Sequence, residues 1–192
     1  MNKVYRHTVA IGLILLISLA VGLAYNALAD LVERHLYPQD FTEYVTTYAT
    51  RYGIPEDVVY ATIKVESNFE SNAVSRAGCI GLMQIEPEET FPWLQSLLGE
   101  SLGAGMLYDP ETNIRYGTYY LSYLYSRFGS WELAHAAYNA GPGNVSSWLK
   151  NEEYTNENGE LIHIPFKETR TYVERITKAK EHYKALYSDN EQ

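Results

Sequence analysis

One glutamate in the sequence stands where an apolar side chain is expected. Val59, Ile63 and Glu66 are spaced by four and three residues, so a helix places all three on one face. A carboxyl group on an apolar face loses hydration, which disfavours its charged form and raises its pKa. A carboxyl that stays protonated near neutral pH can act as a general acid in sugar cleavage. By periodicity alone, the commoner arrangement ends the helix here and turns Glu66 to solvent, or pairs it with Arg76 or Lys64.

Four motifs follow one another along the chain, beginning at Glu66. They are Glu66-Ser67 with Ser75 and residues 78–84 (GCIGLMQ), Asn113-Ile114 with Gly117 and Tyr120-Leu121, residues 136–145 (AAYNAGPGNV) with Trp148, and residues 164–173 (IPFKETRTYV). Together they resemble the soluble-lytic-transglycosylase (SLT) catalytic domain, over about residues 42–187. Each motif is moderately specific, and their common order makes the resemblance strong.

This resemblance implies a mainly α, lysozyme-like single domain that cleaves peptidoglycan glycan strands between N-acetylmuramic acid and N-acetylglucosamine. It implies that Glu66 protonates the leaving glycosidic oxygen, then accepts the proton of the C6 hydroxyl, which leaves a 1,6-anhydro end. One enzyme carboxyl suffices, because the substrate's acetamido group can stabilise the anomeric cation and its own C6 oxygen attacks intramolecularly. No metal or organic cofactor is implied.

The same resemblance assigns expected roles to four more residues. Ser75 is expected to form hydrogen bonds near the catalytic centre and to polarise the acetamido group. Gln84 is expected to bind a sugar through its amide, unless that amide only closes a turn. Tyr138 is expected near the catalytic glutamate, with simple helix packing as the alternative. Glu168 is expected in the cleft; the alternative is a carboxylate that complements the N-terminal dipole of its helix.

Two residues depart from the family pattern. Cys79 stands where a small residue such as alanine is usual, and we interpret it as a small buried hydrophobe, not a nucleophile. Glu86 replaces the methionine common in the Gln-x-Met-Pro pattern, at the border of the cleft. A charge there is expected to raise the pKa of Glu66 further, or to hold a water for hydrolysis. We expect Glu86 to tune substrate binding without changing the reaction.

Helical patterns dominate the sequence after residue 40. Apolar spacing and capping residues predict helices over 41–52, 55–69, 109–128, 131–139, 144–149 and 167–187. Residues 75–87 contain two glycines and predict a turn or small hairpin. Residues 150–163 are polar and predict an exposed loop, with at most a minor hairpin at Asn158-Gly159. The predicted fold is therefore mainly α.

The N-terminal segment predicts export or membrane anchoring. Lys3 and Arg6 precede an uncharged stretch over residues 8–24, whose length is at the lower limit for a bilayer-spanning helix. Positive charge on the N-terminal side predicts that the rest of the chain lies outside the cytoplasm. Ala27-Leu28-Ala29 fits a cleavage site, so the alternative to an anchor in the cell membrane is secretion after cleavage near Ala29. We favour the retained anchor over a signal peptide, and both over a buried helix.

The predicted organisation has four parts. Residues 1–29 form the membrane anchor or signal peptide, and residues 30–41 form a juxtamembrane connection. Residues 42–187 form the catalytic domain, and residues 188–192 form a C-terminal tail. We expect the protein to be a monomer.

Composition excludes several classes of function. The net charge is −9, and residues 1–29 hold two basic and no acidic side chains, so the remainder is more acidic still. Such a chain has no basic stripe for nucleic acid. The single cysteine excludes an internal disulfide, and no Cys/His cluster has zinc-site spacing. The 18 tyrosines suit a carbohydrate cleft, although we expect most of them to fill helix interfaces.

Two other functions stay open at this point. A hydrolytic muramidase, like the related goose-type lysozymes, uses water and needs a second carboxylate, for which Glu86 is the candidate. A noncatalytic module that binds peptidoglycan is the other alternative. The presence of Glu66, Ser75 and Gln84 argues against it.

Overall fold

The N-terminal part of the chain is one long helix. The computed structural model describes residues 3–187, and it divides between Pro38 and Gln39 into two compact units. In the first unit, α1 spans Lys3–Leu36. Its stretch Arg6–Leu36 is long and apolar enough to cross a membrane by length and composition, with a mean hydropathy of 2.4. The predicted anchor is therefore helical, while the predicted tail at 188–192 lies outside the described residues.

The predicted juxtamembrane connection at 30–41 continues this helix for most of its length. Residues 30–36 contain no glycine or proline that would end α1 earlier. The Arg34 guanidinium also pairs with the Asp30 carboxylate one turn away, with Nε and Oδ2 at 2.9 Å. The nonhelical part of this segment is residues 37–41, between the end of α1 and the first residue of the next helix, Thr42.

The second unit is mainly α, as predicted. Its helices are α2 (Thr42–Tyr52), α3 (Glu56–Glu66), α4 (Thr90–Leu98), α5 (Pro110–Phe128), α6 (Trp131–Ala140), α7 (Pro142–Trp148) and α8 (Lys167–Tyr187), with a short 3-10 helix at Ala104–Tyr108. All six predicted helices are present, and the last has the predicted bounds. The sequence patterns did not predict α4 or the 3-10 helix. In α4, Pro92 lies in the first turn, where proline is tolerated, although it reads as a helix breaker.

Helix ends follow the capping chemistry expected from the sequence. The Asp109 carboxylate accepts a hydrogen bond from the Thr112 N–H at 2.9 Å, and Pro110 occupies the first turn of α5. The Ser130 hydroxyl accepts one from the Leu133 N–H at 3.2 Å. Gly53 closes α2 with a φ of 68°, a left-handed conformation that favours glycine.

The prediction that α3 continues to Phe69 is wrong. The helix ends at Glu66, and Asn68 and Phe69 take left-handed conformations with φ of 51° and 67°. The Ser67 hydroxyl donates to the Leu82 carbonyl at 2.8 Å and so ties the end of the helix to a following loop. This contact joins residues 15 positions apart at the point where the helix ends, and local periodicity does not reveal it.

The core of the second unit surrounds α3. Residues Val58 to Ile63 are all buried, and α3 packs along α8. Tyr60 stacks on Tyr183 between these helices, with ring centroids 5.4 Å apart. Six tyrosines are buried at helix interfaces: Tyr48, Tyr60, Tyr116, Tyr120, Tyr172 and Tyr183. These six rings therefore act as packing groups, whereas the expectation for most of the 18 tyrosines stays a prediction.

The two predicted nonhelical segments have the expected character. Residue pairs Val74–Ile80 and Ile80–Ile85 form isolated antiparallel bridges, which make residues 74–85 a tight double turn. A single bridge, Thr155–Leu161, makes the predicted minor hairpin in the polar loop. The first of these turns lies against the end of α3, where the Ser67 hydroxyl bonds to the Leu82 carbonyl.

Candidate active site

Glu66 is the last residue of α3 and lies at the surface end of the core. Val59 and Ile63, which share its helix face, are fully buried, whereas Glu66 is only partly exposed. The carboxyl therefore stands where the apolar face of the helix meets solvent. This is the position that the spacing of the three residues predicts.

A tyrosine on α8 holds the Glu66 carboxyl in place. The Tyr172 hydroxyl donates a hydrogen bond to Glu66 Oε1 at 2.6 Å. Tyr172 is itself buried, because α8 packs along α3. Tyr172 belongs to the last motif, and no prediction from the sequence assigned it to the site. Its position at the end of the last motif was the available signal, but no spacing rule links it to a residue 106 positions earlier.

Burial controls the protonation of Glu66. Removal from water raises the pKa of this carboxyl to about 7, although the Tyr172 hydrogen bond and the Arg175 charge both act in the opposite direction. A carboxyl with this pKa is partly protonated at neutral pH, so it can both donate and accept a proton. The raised pKa that the sequence predicts is therefore confirmed.

The turn facing Glu66 is fixed by one buried amide. Asn113 on α5 donates to the carbonyls of Ile80 and Leu107 at 2.9 and 2.7 Å, and accepts from the Met83 N–H at 2.7 Å. Its side chain thus supplies partners to three backbone groups of this region, of which the Ile80 carbonyl also accepts from the Ile85 N–H at 3.1 Å. A Cβ on Gly81 would lie 2.8 Å from Asn113 Cγ and would overlap the Leu107 carbonyl. These contacts explain why the motifs pair a glycine-containing turn with an asparagine.

Met83 and Tyr138 complete the support of this turn. A Cβ on Gly117 would lie 2.7 Å from the Met83 Cβ, so only glycine at this point of α5 leaves room for the methionine. The Tyr138 hydroxyl donates to the Met83 carbonyl at 2.7 Å. Burial and the Glu66 charge hold the pKa of Tyr138 well above its usual value, so its phenol stays protonated. Tyr138 therefore lies near Glu66, as expected, and its hydrogen bond positions the turn.

Ser75 and Cys79 form the outer part of the turn. The Ser75 hydroxyl accepts a hydrogen bond from the Cys79 N–H at 3.0 Å, and the Ser75 side of the turn is exposed. Burial raises the pKa of the Cys79 thiol, and the charges of Glu66 and Glu86 raise it further. The cysteine is thus held as a neutral thiol close to the site, and it is only partly buried. It is less buried than the small core residue that we expected.

Gln84 closes the turn through its side chain. Its backbone has a φ of 49°, and its amide nitrogen donates to the carbonyls of Gly81 and Ala73 at 2.8 and 3.2 Å. The amide nitrogen of Gln84 therefore closes the turn, which was the alternative to sugar binding. The role of Gln84 in sugar binding stays a prediction, which would fall to the amide oxygen.

Glu86 has three local hydrogen-bond partners that the sequence pattern did not predict. Its carboxylate accepts hydrogen bonds from the backbone N–H groups of Glu88, Glu89 and Thr90, at 2.6 to 2.8 Å. Burial alone would raise its pKa, but these three bonds outweigh burial and lower it. Glu86 is not among the groups that shift the pKa of Glu66, so the expected influence on Glu66 is not found. Both oxygens are engaged at the start of α4.

Glu168 lies in the first turn of α8 and is exposed. It lines a cavity of about 520 Å³ together with Asn139, Lys167, Thr171, Tyr172 and Arg175. Because Tyr172 also contacts Glu66, this cavity adjoins the catalytic candidate. The Asn139 amide oxygen accepts a hydrogen bond from the Thr169 hydroxyl at 2.8 Å, which ties the end of α6 to the first turn of α8.

A larger cavity of about 650 Å³ lies at the opposite end of α3. Its lining includes Glu56 and Asp57 from the first turn of α3, with Lys180 and Lys184 from α8. None of the predicted site residues is among its lining. Within residues 3–187, no group of three or more His, Cys, Asp or Glu side chains is arranged to hold a metal ion.

The second unit thus has the architecture of a lysozyme-like α domain, with one glutamate held partly protonated beside an open cavity. The family model named Transglycosylase SLT domain matches residues 43–160, and the chain belongs to this family. The match covers α2 through the polar loop after α7, and therefore all predicted site residues except Glu168.

Curated relatives carry matching names. The soluble lytic murein transglycosylase of Escherichia coli K12 is 36% identical over 157 residues, which are 80% of this chain and 24% of that protein. The membrane-bound lytic murein transglycosylase C of Yersinia pestis is 29% identical over 179 residues, 81% of this chain and 50% of that protein. This chain therefore spans between a quarter and a half of the length of these relatives.

Solved structures confirm the fold. The 70 kDa soluble lytic transglycosylase of Escherichia coli aligns with a TM-score of 0.73 at 33% identity, over 80% of this chain and 25% of that chain. An inactive glutamate-to-glutamine mutant of the lytic transglycosylase Slt from Pseudomonas aeruginosa aligns with a TM-score of 0.69 at 34% identity, over 78% of this chain and 25% of that chain. The mainly α, lysozyme-like prediction is confirmed.

Proposed function

We propose that this chain is a lytic transglycosylase that cleaves the β-1,4 bond between N-acetylmuramic acid and N-acetylglucosamine in peptidoglycan. The observation that carries the proposal is the state of Glu66: burial raises its pKa to about 7, and Tyr172 fixes one of its oxygens at 2.6 Å. The lytic murein transglycosylase names of the relatives support the same substrate class.

In this proposal, Glu66 acts first as an acid and then as a base. Its proton passes to the glycosidic oxygen as the bond from that oxygen to the muramic acid C1 breaks. The resulting carboxylate takes the proton of the C6 hydroxyl, whose oxygen bonds to C1 and closes the 1,6-anhydro ring. Glu66 ends protonated, ready for another cycle. A pKa near 7 suits both halves, because neither protonation state is costly at neutral pH.

The supporting residues take positioning roles. Tyr172 orients the Glu66 carboxyl, and Tyr138 holds the turn of residues 80–84 against it. Ser75, Gln84 and Glu168 are proposed to contact the sugars from the rim of the site. Glu86 is proposed to shape the border of the cleft through its bonds to the start of α4.

The contacts of Glu86 disfavour a hydrolytic mechanism. A hydrolase requires a second carboxylate that activates water. Both Glu86 oxygens accept backbone N–H groups, and its pKa is lowered, so it is a poor base and is held away from that role. We therefore prefer the transglycosylase over the muramidase.

We further propose that α1 attaches the enzyme to the cell membrane, with the second unit outside the cytoplasm. The apolar length of α1, the positive charges before it and the membrane-bound name of one relative support this. Alkaline carbonate extraction of membranes distinguishes an anchored chain from a secreted one, since only the anchored chain stays in the pellet.

Product analysis tests the reaction. Purified peptidoglycan is digested with the detergent-solubilised chain, and the ends are identified by mass spectrometry. Anhydromuramic ends support the proposal, whereas reducing muramic ends identify a muramidase and overturn it. An absence of any cleavage, together with retained binding to peptidoglycan, identifies a noncatalytic module.

A further inference from the structure

The cavity beside Tyr172 is lined by more positive than negative charge. Its six lining residues include two cations, Lys167 and Arg175, and one acid, Glu168. The whole chain, by contrast, carries a net charge of −9. A local excess of positive charge in an acidic protein indicates a place where an anion can be received.

The side chains of Lys167 and Arg175 make few polar contacts with the described residues. The Lys167 side chain is exposed and makes no hydrogen bond or ion pair with any residue of the range 3–187. The Arg175 guanidinium makes one long hydrogen bond, to the Val65 carbonyl at 3.4 Å, and pairs with no carboxylate of that range. Both groups therefore keep most of their donors available on the cavity side of α8.

The position of Arg175 also works against the proposed acid. Its charge lowers the pKa of Glu66, so a smaller fraction of this carboxyl is protonated at neutral pH than burial alone would give. An anion bound at Arg175 offsets this influence, so the protonated fraction of Glu66 rises when substrate is bound.

We propose that Lys167 and Arg175 bind a carboxylate of the substrate and so select muramic acid at the site beside Glu66. This rests on the proposed function, since muramic acid is the peptidoglycan sugar that bears a lactyl group. The lactyl carboxyl is either free or joined to a peptide that has carboxylates of its own. Guanidinium and ammonium groups form charge-assisted hydrogen bonds with either source.

Glu168 in the same lining fits a ligand of mixed chemistry. Its carboxylate is an acceptor only, so it suits the hydroxyl and acetamido N–H donors of the sugar. Cations and an acid around one cavity therefore match a sugar that carries both an anionic arm and neutral donors. They do not match a plain polyanion, which Glu168 would repel.

Three substrates separate the sources of the carboxylate. Intact glycan strands carry peptide carboxylates, and strands stripped by an amidase carry free lactyl carboxylates. Stripped strands whose carboxyls are converted to methylamides carry none. Steady-state kcat and KM are measured on each with the full chain, its Arg175→Gln and Lys167→Gln variants, and Arg175→Lys, which keeps the charge.

We expect Arg175→Gln and Lys167→Gln each to raise KM about five- to tenfold on strands that carry the recognised carboxylate. On the methylamide strands, these variants should match the unchanged chain, and Arg175→Lys should recover part of the loss. Lys178→Gln, which removes one exposed charge from the same helix outside the cavity, is the matched control and should leave KM unchanged.

An equal loss on carboxylate and methylamide strands assigns Arg175 to support of Val65 alone and overturns the proposal. No loss on any substrate overturns it too. A loss confined to intact strands identifies the peptide as the source, and a loss confined to stripped strands identifies the lactyl group. Failure of the unchanged chain to form anhydro ends on any substrate contradicts the proposed function instead.

Discussion

The end of α3 and the approach to α4 each carry a glutamate at the candidate site, and the two carboxyls have opposite protonation behaviour. Glu66 stands at a helix C-terminus, where the free backbone groups are carbonyls, and its pKa is raised by burial to about 7. Glu86 precedes a helix N-terminus, where three backbone N–H groups bind it and lower its pKa. The comparison shows how backbone N–H donors affect a carboxyl group. Where they bind it, its pKa falls and it caps a helix as a carboxylate; where they are absent and the group is buried, its pKa rises and it can serve as a proton donor.

Loss of the Glu66 carboxyl tests whether Glu66 is the proton donor, and we expect it to have the largest effect. We expect Glu66→Gln to lower kcat by about 10²- to 10⁴-fold, because glutamine keeps the shape but cannot transfer a proton. Release of anhydro ends from peptidoglycan measures the loss. Glu70→Gln, at an exposed position in the loop after α3, is the control. Full activity in the Glu66 variant would remove this residue from the mechanism.

The same substitution should reveal the energetic consequence of the raised pKa. Below pH 4.5, the carboxyl is neutral in both the folded and the unfolded chain. Between pH 4.5 and about 7, the unfolded chain releases the proton first, so the folded protein loses stability as pH rises.

Glutamine has no such dependence. Relative to the unchanged chain, Glu66→Gln should therefore gain about 3 kcal/mol in unfolding free energy between pH 4 and pH 8. Urea denaturation at both pH values measures the difference. If the difference in unfolding free energy between Glu66→Gln and the unchanged chain stayed constant with pH, the fold would not be holding Glu66 protonated.

Tyr172 tests how the buried carboxyl is tuned. Its hydrogen bond lowers the pKa of Glu66, so Tyr172→Phe should raise that pKa and move the alkaline limb of kcat/KM to higher pH. Loss of orientation should also lower kcat about tenfold at the optimum. Tyr125→Phe, at an exposed site on α5, serves as the control. A limb that moves to lower pH would contradict the assigned role.

A substitution of Glu86 tests whether its carboxylate caps the start of α4, and we expect it to have the smallest effect. Glu86→Met should lower the unfolding free energy by about 1 kcal/mol, since three backbone N–H groups lose their acceptor. The product ends should stay anhydro. Glu88→Met removes a neighbouring exposed charge without removing the acceptor. Mass spectrometry that found a switch from reducing to anhydro ends in Glu86→Met would assign Glu86 to water activation and overturn our view.

Much of the fold was predictable from local sequence. The capping residues Asp109 and Ser130 and the terminating Gly53 act within a few residues of the helix ends they mark. The missed helix α4 begins with a proline in its first turn and takes its N-terminal acceptor from Glu86, outside the helix. Its start signal is therefore not one of the common capping patterns.

The sequence by itself determined that Glu66 shares a helix face with apolar residues and that the chain carries the motifs of one family, because periodicity and motif order are properties of the chain. Tertiary structure alone brought Tyr172 to Glu66 across 106 residues and gathered Lys167 and Arg175 beside the site. These outcomes depend on how α8 packs along α3 and how the turn folds against α5. Hydrogen bonds and burial follow from distance in space, which residue spacing does not record.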